Sequence, residues 1–284
     1  MNASNNFAGT ETRDLRDFSG RLLLVGAGKM GCALLEGWLR LGLDANNVAV
    51  LEPLPSRQIS AFAQRGLRLN PDLHGLGTID AIVLAIKPQV AAEAIAPLAP
   101  LVDAAALVVS IMAGRTLQFL STALNGACAL VRAMPNTPAA IGRGITVAVP
   151  LRAGAAQREL AQRLLSAAGA VEWIEDEALM DAVTAVSGSG PAYVFLLAEV
   201  LAQAGAAAGL PPALAQRLAR ETVAGSGELL HRSPLDAAAL RENVTSPGGT
   251  TAAALDVLMG AGGLAPLMRH AVAAATARSR QLAG

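Results

Sequence analysis

The chain has 284 residues, of which 53% are hydrophobic, 3% aromatic and 15% charged, and its 22 Lys plus Arg balance 22 Asp plus Glu. That length allows one large or two modest globular domains. The absence of net positive charge argues against a nucleic-acid partner, which is held through counterion release, and so few aromatics disfavour a stacking platform for single strands.

Residues 1–20 are rich in Asn, Ser, Thr, Gly and charges. They lack the basic start and apolar centre of a secretory signal and read as a disordered tail. Uninterrupted apolar runs such as 104–112 fall short of the ~20 residues a membrane helix needs, so the reading is of a soluble protein without a membrane partner. Cys32 and Cys128 cannot form a disulfide framework, and neither sits in a metal-binding cluster. Reduced thiols in a cytoplasmic protein with no metal are expected.

Order begins at Arg21. Leu22, Leu23, Leu24 and Val25 form a run apolar on both faces, as a central parallel strand requires, and it ends abruptly at Gly26. Helical spacing follows over 29–41, with Gly42 as the stop, and then a second short strand over 48–51. Further apolar bursts at 79–86, 106–112, 128–134, 145–149 and 171–174 alternate with helix-like segments. This alternation predicts an α/β fold over 21–174, a mostly parallel sheet covered by helices. Beyond Glu175 no β-branched burst interrupts the Ala- and Leu-rich segments, so 175–284 is expected to be all helix. Breaks are expected at 187–191, 209–212, 233–234, 246–249 and 260–263. The stretch 202–208, almost without side-chain bulk, suits a close helix–helix or subunit contact.

Gly26-Ala27-Gly28-Lys29-Met30-Gly31 is a G-x-G-x-x-G pattern placed between a predicted strand and a predicted helix. Its first Gly permits a tight turn, the second lets the backbone approach a pyrophosphate, and the third lets helix and strand pack closely. Free N–H groups and the helix dipole then face the anion. Folds of this kind read the adenosine ribose at the end of the second strand, where a carboxylate suits a free 2′-OH and an Arg suits a 2′-phosphate. Glu52 ends that strand, with Ser56 and Arg57 close behind, which leaves NADH and NADPH both open.

A second turn, Ser246-Pro247-Gly248-Gly249-Thr250-Thr251, precedes helical spacing over 252–259. Backbone N–H groups at such a helix start, flanked by hydroxyls, make a compact carboxylate receptor; an ordinary Ser/Thr-capped helix has the same composition.

These two turns, together with Arg132-Ala133-Met134-Pro135-Asn136-Thr137-Pro138 and Val186-Ser187-Gly188-Ser189-Gly190-Pro191-Ala192-Tyr193, resemble the Δ1-pyrroline-5-carboxylate reductase family from Arg21 to the C-terminus. The resemblance implies NAD(P)H-dependent reduction of 1-pyrroline-5-carboxylate to L-proline, the last step of proline biosynthesis. It also implies an N-terminal Rossmann domain and a C-terminal helical domain that interleaves with a second copy, giving homodimers and, in many members, decamers. Carried over, Gly26, Ala27, Gly28, Lys29, Met30 and Gly31 hold the pyrophosphate, and Ala85, Lys87 and Pro88 belong to the next cofactor-facing strand end. Ala113, Gly114, Met134, Pro135 and Asn136 surround the ribose and nicotinamide. Ser246, Gly248, Gly249 and Thr250 contact the substrate carboxylate, and the Thr251 hydroxyl lies near the ring nitrogen as the catalytic group. Lys29, Met112 and the 233–239 connection depart from the family's usual pattern, and an acidic residue some members place near the substrate has no clear counterpart.

Other chemistry fits less well. Related β-hydroxyacid dehydrogenases use a catalytic Lys from the helical half, and residues 175–282 contain none; Lys87 reads as part of the cofactor loop. A protein that binds the dinucleotide without turnover would lack the second turn. His74, His231 and His270 read as surface or structural residues, and Tyr193 reads as a packing residue. Neither Ser187 nor Ser189 lies in a nucleophile elbow.

Overall fold

The computed structural model of the chain describes residues 14–126 and 128–283. Eight strands form one sheet: β1 (Leu22–Val25), β2 (Val48–Leu51), β3 (Arg68–Leu69), β4 (Ala81–Leu84), β5 (Leu107–Ser110), β6 (Ala129–Met134), β7 (Gly144–Leu151) and β8 (Gly169–Trp173). Their order across the sheet is β3-β2-β1-β4-β5-β6-β7-β8, and every pairing is parallel except β6 with β7. The chain winds outward from β1 in one direction to β2 and β3, and in the other from β4. The crevice at the carboxyl ends of β1 and β4 is therefore the switch point where such sheets bind ligands.

Side chains alternate across the sheet with period two, so each central strand feeds two cores. Leu22, Leu24, Val48, Val50, Val83 and Val109 face α1 (Lys29–Arg40) and α5 (Ala155–Ser166). Leu23, Val25, Ala49, Ile82, Leu84 and Val108 form the opposite core, covered in part by α3 (Ala91–Ile95) and α4 (Leu117–Ala123). The buried Trp38 indole donates to the Leu164 carbonyl at 2.8 Å and ties α1 to α5. Among the described residues, α2 (Arg57–Ala63) and α6 (Met180–Val183) complete the α-helices of this region.

The expected tail over residues 1–20 needs correction in its second half. Residues 1–13 lie outside the described residues, but Asp14 to Gly20 is packed: Leu15 is fully buried and its N–H donates to the Leu41 carbonyl at 2.9 Å. Arg163 clasps this segment through the Asp14 carbonyl and the Asp17 carboxylate. Burial of one leucine and a two-point arginine grip hold a stretch whose composition alone looked unstructured.

The chain divides into two compact units, one reaching to Gly188 and taking in the final residues from Arg278, the other spanning Ser189–Ala277. In the second unit α7 (Gly190–Ala207) and α8 (Pro212–Arg232) pack together, followed by α9 (Ala237–Asn243), α10 (Thr250–Leu258) and the first part of α11 (Leu264–Ala283), whose residues from Arg278 on belong to the first unit. The small-residue stretch serves this pairing. A Cβ added at Gly205 would lie 3.4 Å from Ala215 Cβ, so the α7 backbone approaches α8 directly. The break expected at 187–191 is largely absent, because Thr184–Gly188 winds as a π turn and α7 resumes at Gly190.

The helical span Glu177–Ala207 is, by length and composition, apolar enough to cross a membrane, with an 18-residue stretch of mean hydropathy 1.4. It escapes notice as an apolar run because Glu177, Asp181 and Glu199 interrupt it. Little of it is covered within the chain: Phe195 is 67% exposed.

Candidate active site

The glycine loop leaves β1 under tight steric control. Gly26 has φ +90°, and a Cβ there would fall 2.7 Å from both the Ala85 carbonyl oxygen and Ile86 Cγ2, so only glycine permits the turn against the end of β4. A Cβ on Gly31 would sit 2.3 Å from the Gly26 carbonyl oxygen, which is the close helix–strand approach expected of the third glycine. Gly28 differs, since a Cβ there would meet no protein atom within 4 Å. Its missing side chain opens space rather than relieving a clash.

Gly28 is also the N-cap of α1, and no side chain caps the helix start. The first N–H groups of α1 therefore point at a site without an internal acceptor, an anion receptor by geometry and dipole. A groove of about 530 Å³ opens here, lined by Gly28, Lys29, Cys32 and Glu36 of the loop and α1 and by Glu52 and Ser56 beyond β2. Open room beside Gly28, free helix-terminal donors and a carboxylate just beyond β2 together suit a dinucleotide.

The Glu52 clamp was not legible in the motif. Glu52 Oε2 accepts from the Ala27 N–H at 2.7 Å, and Oε1 accepts from the Leu54 N–H at 3.1 Å. Asn70, in the left-handed region at φ +47°, grips the Glu52 backbone on both sides: its Oδ1 accepts from the Glu52 N–H and its Nδ2 donates to the Glu52 carbonyl, at 2.8 and 2.9 Å. Asn is among the few residues that tolerate this conformation. The Asn70-Pro71 pair was the available signal of a turn at the sheet edge. Ser56 caps α2, accepting from the Ile59 N–H, and Arg57 opens that helix as an exposed side chain. Burial pushes the Cys32 thiol up; the Ser56 hydroxyl bonded to it works against the rise, and Glu36 and Glu52 add to it.

The other predicted positions in this unit gather along the same carboxyl edge. Ala85 follows β4, its N–H donating to the Val25 carbonyl at 2.7 Å, and Lys87 is exposed ahead of Pro88. Ala113 and Gly114 follow β5, with Gly114 at φ +71°. Met134 ends β6 and precedes buried Pro135; Asn136 Oδ1 accepts from the Ile145 N–H at 3.0 Å, fixing the turn. Two supports here were missed from sequence. Arg115 donates from Nε and Nη2 to the Pro88 carbonyl at 3.0 and 2.6 Å, joining the β4 and β5 loops. Buried Arg132 pairs at 2.7 Å with Glu177, which also accepts from the Leu117 N–H at 2.8 Å. Met112, which departs from the family pattern, lies buried in the core beneath β5.

The second turn lies in the helical unit. Gly248 has φ +68°, and Gly249 is the N-cap of α10 with no side-chain cap. The first N–H to find a partner in the helix is that of Ala253, which donates to the Gly249 carbonyl. The N–H groups of Thr250, Thr251 and Ala252 thus form the helix's open end. Ser246 and Thr250 are exposed beside it, and Thr251 is half-buried.

Comparison with known proteins matches residues 177–282 to the family described as "Pyrroline-5-carboxylate reductase dimerisation" and residues 21–114 to "NADP oxidoreductase coenzyme F420-dependent". The chain is 37% identical to the pyrroline-5-carboxylate reductase of Pseudomonas aeruginosa, covering 93% of this chain and 97% of that one. It is 40% identical to the enzyme of the same name from Synechocystis, covering 92% and 98%. Among solved structures, the pyrroline-5-carboxylate reductase of Coxiella burnetii superimposes with a TM-score of 0.86 at 32% identity, over 93% of this chain and 99% of that one. The Plasmodium falciparum pyrroline carboxylate reductase with NADP bound gives 0.78 at 28%, over 94% and 99%. The glycine turn at β1, the helical unit that begins after it leaves the sheet, and the Gly-Gly turn at α10 thus belong to one lineage: this chain is a member of the pyrroline-5-carboxylate reductase family.

Proposed function

We propose that the protein reduces 1-pyrroline-5-carboxylate to L-proline with NAD(P)H, completing proline biosynthesis. The observation that carries this reading is the presence, in one member of the family, of an open dinucleotide groove at Gly28 and an uncapped helix start at Gly249. A nicotinamide cofactor, when bound, supplies the hydride. Gly26, Gly28 and Gly31 with the α1 N-terminus hold its pyrophosphate, and the strand-end loops at Ala85 to Pro88, Ala113-Gly114 and Met134 to Asn136 position the rest.

The substrate carboxylate suits the N–H groups that open α10, supported by the hydroxyls of Ser246 and Thr250. Anchoring that group fixes where the imine carbon lies, and most of the acceleration comes from such positioning. The ring nitrogen must carry a proton as its carbon gains hydride. Thr251 is the group we assign there: its hydroxyl accepts from the iminium N–H and donates to the lone pair that appears on the amine. No covalent nucleophile is required.

Self-association follows from the dimerisation region, and the finer reading is a homodimer that gathers into decamers. The free thiols of Cys32 and Cys128 suit a reducing, cytoplasmic setting. The test is cofactor oxidation by purified protein with pyrroline-5-carboxylate, with light scattering on the same sample. Turnover that depends on the imine supports the reading; a folded oligomer inert with both NADH and NADPH overturns it.

A further inference from the structure

Nothing so far decides between NADH and NADPH, and the walls of the groove bear on that choice. Glu52 is fixed from both ends: its carboxylate accepts from the Ala27 and Leu54 N–H groups, and Asn70 grips its backbone. It cannot swing away without breaking the bond that orders the glycine loop. Two of its four acceptor sites are used by these backbone donors, so lone pairs remain for hydroxyl donors. A carboxylate is acceptor-only, and a phosphate dianion offers it no proton.

The rest of the groove has the same character. Glu36 adds a second carboxylate, and among the described residues Lys29 is the single cation in the lining. Lys29 stands at the first position of α1, at the pyrophosphate end. Arg57, the residue that could grip a 2′-phosphate, is exposed on α2 and does not line the groove. The Ser56 oxygen accepts from the Ile59 N–H as the α2 cap, and its hydroxyl is bonded to the Cys32 thiol.

We infer that this protein is built for NADH, and that Glu52 sets the choice by accepting from the free ribose 2′-OH and repelling a 2′-phosphate. The inference rests on the reductase reading for its cofactor class alone. It runs against the NADP carried by the Plasmodium relative, so it is a claim about this chain's own residues.

Equilibrium binding tests it without substrate. Nicotinamide fluorescence is titrated with NADH and NADPH against wild type, Glu52→Gln and Glu52→Ser, each checked for an unchanged melting profile. Wild type should bind NADH at least about tenfold more tightly than NADPH, and both variants should narrow that ratio about tenfold, mainly through tighter NADPH binding. Gln keeps one acceptor for the loop while removing the charge and the second acceptor. Wild-type NADPH binding equal to or tighter than NADH overturns the inference, as does an unchanged ratio in folded variants. Should both variants unfold, Arg57→Ala decides: a tenfold loss of NADPH affinity there would mean that Arg57 grips the phosphate and Glu52 does not govern. Unchanged NADPH affinity supports Glu52. Tight NADH binding without turnover of pyrroline-5-carboxylate would sink the substrate reading and support this one.

Discussion

In the first unit β1, β4 and β5 are buried along their whole length, and helices cover both faces of the sheet. In the second, Ala215 and Ala219 are the buried hydrophobics among the described residues, while Phe195, Leu218, Val257 and Leu267 are 67, 47, 75 and 61% exposed. The two units have comparable apolar content and opposite uses for it. One closes its own core and can hold a precise groove; the other leaves an apolar surface far beyond what a monomer in water sustains. Its partner is a second copy, which the dimerisation region names and which obligate interfaces of roughly 2,000–5,000 Å² would accommodate. The same contrast applies to the span Glu177–Ala207, whose exposed apolar side chains an opposing protein surface can cover as well as lipid can.

The sharpest way to break this contrast is to place a charge on the exposed face. Phe195→Glu should cost the assembly about 4 kcal/mol or more, because an unpaired carboxylate would be buried, which is about a thousandfold in dimer affinity. Turnover should fall with the loss of dimer on light scattering, while cofactor binding by the first unit stays within a few-fold of wild type. A variant that remains dimeric and active would show that α7 does not face the partner.

Next in size is the open end of α10. Thr251→Ala should lower kcat about tenfold to a thousandfold, the range for removing a polar group that acts at the reacting centre. The Kd for cofactor should not move, since Thr251 belongs to the other unit. A rise in KM alone would make Thr251 a binding residue.

The glycine loop gives a finer separation, because two of its glycines do different work. Gly31→Ala puts a methyl 2.3 Å from the Gly26 carbonyl oxygen and should destabilise the protein by about 1–3 kcal/mol, read as a lower Tm. Gly28→Ala meets no protein atom, and its backbone at φ −66° accepts any residue. It should leave Tm unchanged and weaken cofactor binding about tenfold or more, since the methyl takes space that a pyrophosphate would need. The reverse pattern would mean that the groove is not the dinucleotide site.

How much of this was legible depended on whether local sequence or distant contact decided the outcome. The central strands announced themselves because they are apolar on both faces, and the glycine turn because its spacing is local. Strand β3, Arg68–Leu69, is two half-buried residues with no periodicity to read. The Ser-Gly-Ser-Gly-Pro run looked like a break, yet Ala185 is fully buried and a Cβ at Gly188 would lie 2.5 Å from Met134 Cε, so tertiary packing keeps the helix winding through a π turn. Residues 14–20 are ordered by Leu41 and Arg163, both remote in sequence. In the site, Glu52 stood out as a strand-end carboxylate, but the grip of Asn70 depends on a left-handed backbone eighteen residues away, which no motif encodes.

The smallest expected effect concerns the cysteines and distinguishes the groove wall from the core. Burial raises both thiols; for Cys32 the groove carboxylates add to the rise, whereas for Cys128 the Arg152 charge works against it. A thiol whose folded pKa is raised keeps its proton at a pH where the unfolded chain has lost it. The folded state then binds more protons, so this contribution to stability is full below the unfolded thiol's pKa and is lost as pH rises through the folded one. Alkylation depends on the thiolate, so at pH 8 Cys32 should react more slowly than a free thiol. Saturating NADH should slow it further, since Cys32 lines the groove, and should leave Cys128 unchanged because it packs in the opposite core. Mass spectrometry of alkylated peptides with and without NADH reads both sites in one sample. Equal protection of the two cysteines would mean that NADH tightens the whole first unit rather than filling the groove beside α1.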